Sequence, residues 1–155
     1  MAELVKLSKY PKLAEFLSKS LAATIAMSVD DEGTIHIASL LYWHDSIDLS
    51  LYFVTDDSTE KCRLLKSGEA VKSACVVGTE KGVDFTLQLR GTLSILTEPD
   101  TSTVEAYYLK RGNREDDLSE PGKVMLRFKP TWARFNGYAK GYGERHFLSL
   151  EVEHA

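Results

Sequence analysis

The sequence predicts a mainly β protein. Six or seven strands, mostly consecutive and antiparallel, close fully or partly into a small barrel with two or three short helices. Three observations predict it. Phe85, Leu87 and Leu89 alternate with Asp84, Thr86, Gln88 and Arg90, so one wall of that strand is apolar and the other polar. Two β-rich runs, 34–43 and 49–55, flank a polar break at His44, Asp45, Ser46 and Asp48, the pattern of paired strands. The other strand-like runs follow one another with few helical interruptions, and closure protects the edges of such a series.

Taken in order, residues 10–20 read as a short amphipathic helix. Pro11 suits a first turn, where its missing N–H is no loss, and Leu13, Phe16 and Leu17 share one face. Residues 21–29 are a strand, and Asp30-Asp31-Glu32-Gly33 is a hairpin turn. The strand pair 34–43 and 49–55 follows. A helix opens near Asp56, carries Cys62, Leu64 and Leu65 on its apolar side, and stops at Gly68. Residues 71–77 are a strand, 78–82 a turn, and 83–96 a long strand in which Gly91 marks a bulge or a close backbone approach. A second helix runs from Pro99 to about Lys110 with Val104, Tyr107 and Tyr108 inward, and 111–122 is a polar loop. Runs 124–128 and 132–135 are strands divided by Pro130. Residues 136–143 form a glycine–aromatic turn region, and 145–152 a last strand.

At 155 residues the chain is expected to be one domain, 1–155, and can bury roughly two thirds of its unfolded surface. Apolar residues make up 43% and charged residues 27%, as in ordinary soluble proteins. The net charge of −4 gives no reason to expect nucleic acid. Residues 1–10 lack the apolar run of a signal peptide and no run reaches bilayer length, so a soluble, cytoplasmic protein with no membrane partner is expected. Cys62 and Cys75 lack metal or redox spacing and read as small core hydrophobes. Between 123 and 145, Lys123, Arg127, Lys129, Arg134, Lys140 and Arg145 face a single acid, Glu144. That stretch either meets an anionic ligand or is a strand with solvated charges.

The search for catalytic or metal-binding motifs is negative. His36, His44, His146 and His154 have no partner at metal-ligand spacing. No nucleophile elbow, phosphate loop or dinucleotide fingerprint occurs. What remains is the sheet edge and the helix start. Asp57-Ser58-Thr59-Glu60 fits a capping box. Ser58, Thr59 and Lys61 could clasp a phosphate there; equally, Asp57 and Glu60 complement the helix dipole and Lys61 is solvated.

These residues resemble the pyridoxamine 5′-phosphate oxidase-like superfamily, the flavin-binding split barrels. The matching order is a strand after a glycine turn (Gly33 to Ser39), a strand ending Phe53-Val54-Thr55, a helix opening Thr59-Glu60-Lys61, and a strand ending in Gly91. The chain is more closely similar to a small bacterial branch related to that oxidase. Val76-Val77-Gly78-Thr79, Gln88-Leu89-Arg90-Gly91 and the tail from Phe135 to Gly143 carry that likeness.

The resemblance implies a six-stranded antiparallel split β-barrel that forms a homodimer with FMN at the interface. His36, Ile37, Ala38, Ser39, Leu40 and Leu41 would run along the isoalloxazine. Val54 and Thr55 would meet the ribityl chain, and Thr59 and Lys61 the phosphate. Thr86 or Gln88 would reach the ring, and Trp132, Arg134 and Tyr142 would come from the second subunit. Two departures stand out: Glu60 occupies a position that is often Arg in the family, and His36 replaces an Arg of the oxidase proper. Vitamin B6 oxidation is therefore not expected. An FMN-dependent oxidoreductase of unknown substrate is the leading expectation, with no catalytic side chain singled out. Related barrels take the deazaflavin F420, FAD or haem, for which His36 or His146 would be the ligand. A cofactor-free, stress-related binding module is the alternative. A lipocalin-like carrier is disfavoured by the interrupting helices.

Overall fold

The structure, a computed structural model, describes residues 7–79, 85–112, 118–138 and 145–151. Helix α1 (Pro11–Lys19) begins at its proline and buries Leu13, Phe16 and Leu17. Strand β1 (Ala22–Ser28) alternates, with Ala23, Ile25 and Met27 in the core. The turn after it closes through Val29 N–H to the Thr34 carbonyl, and the Asp30 carboxylate accepts from the amides of Glu32 and Thr34 at 2.9 and 3.0 Å. Strand β2 (Ile35–Leu41) pairs with β1, and a two-residue β3 (Trp43–His44) pairs with β4 (Leu51–Asp56).

Strands β5 (Val71–Val77), β6 (Phe85–Leu96), β7 (Lys123–Tyr138) and β8 (Arg145–Glu151) complete an all-antiparallel sheet with the path β2-β1-β5-β6-β7-β4-β3. Strand β8 branches from that path onto β7. The six or seven strands expected are close to what forms: the described residues make eight, one of them the two-residue β3. Strand β7 is long enough to take β6 along one edge while its first half pairs with β4 and its second half with β8. The sheet divides there, and it curls so that β2 runs alongside β4 and the turn at Glu60–Cys62. The result is a curled half-barrel rather than a closed one.

Two expectations inside the sheet resolve together. Runs 124–128 and 132–135 are one strand, and Pro130 sits in it opposite Gly91, where the register shifts. Proline is tolerated because it falls at the bulge and in the stretch of β7 between its pairing with β4, which ends at Phe128, and with β8, which begins at Trp132. A Cβ on residue 91 would run into the Lys129 carbonyl, so the close approach requires glycine.

The expected helix after β4 is instead two 3₁₀ turns, Glu60–Cys62 and Leu65–Ser67, ended by Gly68 at φ +86°. No capping box forms. The Thr59 hydroxyl donates back to the Asp56 carbonyl at 2.8 Å, and Glu60 pairs with Arg63 at 3.1 Å. Helix α2 (Thr101–Arg111) buries Tyr107 and Tyr108 against Tyr52, Val54 and Met125. The main core lies on the other face of the sheet, under α1, where Phe16, Phe85 and Phe135 pack at centroid distances of 5.0 to 6.2 Å. Cys62 and Cys75 are buried free thiols within it.

Candidate functional site

Strand β2 divides the expected site residues between two faces. His36, Ala38 and Leu40 stand opposite Met27, Ile25 and Ala23, the buried residues of β1. They face the side on which β2 runs alongside β4 and the Glu60–Cys62 turn. Among the described residues no strand pairs with the second edge of β2, so that edge offers free backbone N–H and C=O groups. Thr55 is buried on the barrel side of β4. Lys61, half-buried, makes no ion pair among the described residues, whereas the neighbouring Asp56 is held by Lys123 at 3.0 Å.

Ile37 and Ser39 point the other way, onto the outer face. Register carries two rows across five strands: Ser39, Thr24, Val76, Gln88, Arg134, and Ile37, Ala26, Ala74, Arg90, Trp132. Two guanidiniums approach the Trp132 ring, Arg90 at 4.1 Å and Arg134 at 5.2 Å from its centroid. A shallow groove of about 390 Å³ runs from Ile37 past Ala26 and Ala74 to Gln88 and Trp132. Thr86 lies one step further along β6 opposite Asn136, whose Oδ1 is buried without a partner. Val54 falls on this face too, but beneath α2. Tyr142 lies outside the described residues, and nothing of the His146 side chain is described.

The register thus sets Ile37, Ser39, Thr86, Gln88, Trp132 and Arg134 on one sheet face, while His36, Ala38 and Leu40 stand on the opposite face of β2, which runs alongside β4 and the turn that carries Lys61. Sequence reasoning missed Arg90, although it shares the alternation that marked Gln88. It also missed a buried cluster beside α2. The Lys110 ammonium sits 3.8 Å over the Tyr42 ring and, like the Tyr42 hydroxyl, donates to the Leu17 carbonyl. Burial lowers the Lys110 pKa to about 8. Burial and the Lys110 charge together hold His44 down at about 4, and its Nδ1 has no hydrogen-bond partner. Among the described residues no group of three or more His, Cys, Asp or Glu could hold a metal ion, and no helix is long and apolar enough to cross a membrane.

This arrangement shares its fold with solved proteins, some of them named for the pyridoxinephosphate oxidase family. Neither a protein-family model nor a curated protein sequence matches the chain; solved structures carry the likeness. A candidate general stress protein 26 from Jannaschia sp. CCS1 superposes with TM-score 0.66 at 15% identity, over 90% of this chain and 99% of that one. A Clostridium acetobutylicum protein related to general stress protein 26 of B. subtilis, of the pyridoxinephosphate oxidase family, gives 0.60 at 18% identity over 92% and 93%. A heme binding protein from Mycobacterium smegmatis gives 0.65 at 13% identity over 86% of this chain, which spans 55% of that one. At these identities the likeness establishes the fold.

Proposed function

We propose that the protein binds a flavin, FMN, in the cleft beside the free edge of β2, at an interface between two copies of the chain. The observation that carries this reading is the unpaired edge of β2 running alongside the Glu60–Cys62 turn and Lys61. Unsatisfied backbone donors and acceptors in a cleft suit the polar rim of a flavin ring, and Ala38 and Leu40 offer an apolar wall. The phosphate would meet Lys61. The Thr59 hydroxyl already serves the Asp56 carbonyl.

Two features support a second copy. Ile35, Ile37 and Leu41 are 58%, 64% and 38% exposed on one edge strand, next to the small residues Ala26 and Ala74. Such an apolar patch on the outer face of the sheet suits an isologous partner. In addition, Ile37 and Trp132 are four inter-strand steps apart, roughly 19 Å at sheet spacing. If both touch one ring, they come from different copies.

When bound, the flavin would supply hydride or electron transfer, and the protein would bind the ring, orient it and exclude water. The second reading is a cofactor-free barrel. The carboxylates of Asp56, Asp57 and Glu60 crowd the turn where a phosphate would sit, and the fold is shared with proteins designated general stress protein 26. A visible spectrum separates the two readings. The purified protein is incubated with FMN, and separately with hemin, and freed of excess by gel filtration. Flavin bands that stay with the protein are expected. A colourless protein after FMN overturns the flavin reading, and a Soret band retained after hemin transfers the cleft to haem.

A further inference from the structure

We infer that the outer sheet face carries an oxyanion-binding groove at the β6–β7 bulge, separate from the Lys61 cleft, which takes the phosphate or carboxylate of a small molecule. The groove has a volume of about 570 Å³; Ser28, Lys72, Ser73, Arg90, Thr92 and Thr131 line it together with Gly91 and an apolar side that includes Met27 and Ile35. Its two cations are set on adjacent strands. Lys72 and Thr92 share one row, which continues on β7 to Lys129 just outside the groove, and Arg90 stands in the next row opposite Trp132.

None of these cations has a counter-ion among the described residues. Lys72, Arg90 and Lys129 make no ion pair among the described residues, whereas Lys123 and Arg127 on the same strand as Lys129 are paired with Asp56 and Asp48. Glu151, at the far side of Trp132 on β8, is the sole acid falling on these rows among the described residues. Two hydroxyls, Ser28 and Thr92, likewise have no side-chain partner, while those of Ser73 and Thr131 donate to the Ala26 and Arg90 carbonyls. A pocket with free ammonium, guanidinium and hydroxyl donors and no resident acceptor has the donor set of an oxyanion site.

The bulge makes the groove specific in shape. Arg90 pairs with Trp132 and Gly91 with Pro130, so Thr131 is the residue left outside the ladder. That offset exposes Thr131 beside the Arg90 guanidinium, which the Trp132 ring holds at 4.1 Å. Stacking leaves the guanidinium edge free to make paired hydrogen bonds in its own plane.

The site does not need the flavin reading, but it lies on the face through which we propose that two copies meet. An anion there would also relieve the repulsion between like charges brought together by two-fold symmetry. The test is a titration of the full-length protein with inorganic phosphate at fixed ionic strength, read by 31P linewidth and backbone amide shifts, with acetate in parallel. Saturable broadening with amide shifts at Lys72, Arg90 and Thr92 is expected, at least tenfold weaker in the double variant Lys72→Gln, Arg90→Gln and unchanged in Lys61→Ala. No saturable response in the wild type, an unchanged response in the double variant, or a response lost only in Lys61→Ala overturns the site. Acetate giving the stronger response makes the ligand a carboxylate. Repeating the titration with saturating FMN tests the separation. A response that persists keeps the groove apart from the flavin site, and one abolished by FMN overturns the claim that the two sites are separate. Because phosphate is the probe, the result stands whether or not FMN binds, and light scattering on the same samples reports the dimer independently.

Discussion

The Lys110 ammonium lies 3.8 Å over the Tyr42 ring and donates to the Leu17 carbonyl at 2.9 Å. One side chain of α2 thereby ties the end of α1 to the loop between β2 and β3. Burial lowers its pKa to about 8 from an ordinary 10.5. From about pH 8 upward the unfolded chain holds this proton more firmly than the folded one, so stability rises with pH between about 8 and 10. Urea unfolding at pH 7.5, 8.5 and 9.5 is expected to show that rise in the wild type relative to Lys110→Met. Parallel curves for the two proteins would remove Lys110 from the pH dependence.

His44 sets the acid side. Its folded-state pKa of about 4 lies below the ordinary 6.5, through burial first and the Lys110 charge second. The unfolded chain takes up a proton near 6.5 and the folded chain does not until about 4. Stability is therefore whole above 6.5 and falls as pH drops toward 4, by roughly 1–2 kcal/mol once solvent screening of a partly exposed ring is allowed for. His44→Phe is expected to flatten this segment of the stability curve. An unchanged slope between pH 6.5 and 4.5 would mean that other groups carry it.

Local pattern made much of this legible, and long-range pairing made the rest obscure. The alternation at Phe85 to Arg90 and the glycine at 91 announced both a strand and its bulge, because period and backbone freedom are written in neighbouring residues. Pro130 misled, since a proline divides a strand only where its missing N–H is needed, and the bulge opposite Gly91 removes that need. The hydroxyl-rich start at Ser58 and Thr59 suggested a helix, yet the chain makes only 3₁₀ turns there, with Thr59 bonded back to Asp56. Lys110, Tyr42 and Leu17 meet across 93 residues, and no spacing in the sequence encodes that encounter. Arg90 and Trp132 likewise become neighbours only through the register of β6 on β7.

Gly91 tests the bulge itself. An alanine methyl would press on the Lys129 carbonyl, a backbone atom that cannot rotate away. Gly91→Ala is expected to destabilise the fold by about 2–3 kcal/mol, as overpacking of a closed site does. Chemical denaturation measures it. A loss below about 0.5 kcal/mol would show that β7 can shift to make room, and that the bulge is not locked by glycine.

Lys61 tests the cleft. It is the side chain there with a positive charge and no acid holding it, and a charge-assisted bond to phosphate is about twice as strong as a neutral one. Lys61→Ala is expected to weaken FMN binding more than tenfold, followed by flavin fluorescence quenching, with the oligomeric state unchanged. Equal affinity in wild type and variant would remove Lys61 from the site.

Ile37 tests the second copy. It is the most exposed large hydrophobic side chain on β2 and sits in the row that leads through Ala26 and Ala74 to Trp132. A carboxylate at its position would be desolvated at the centre of a two-fold contact and would face its own symmetry mate, a double penalty in such an interface. In a monomer the same carboxylate would stay in water at little cost, because β2 is an edge strand and position 37 faces outward. Ile37→Asp is therefore expected to convert a dimer to a monomer in light scattering while leaving the far-ultraviolet circular dichroism unchanged. If the wild type is already monomeric, the interface part of the proposed function fails. A variant that remains dimeric would move the contact off this face, and Ile37 and Trp132 could then no longer meet one ligand.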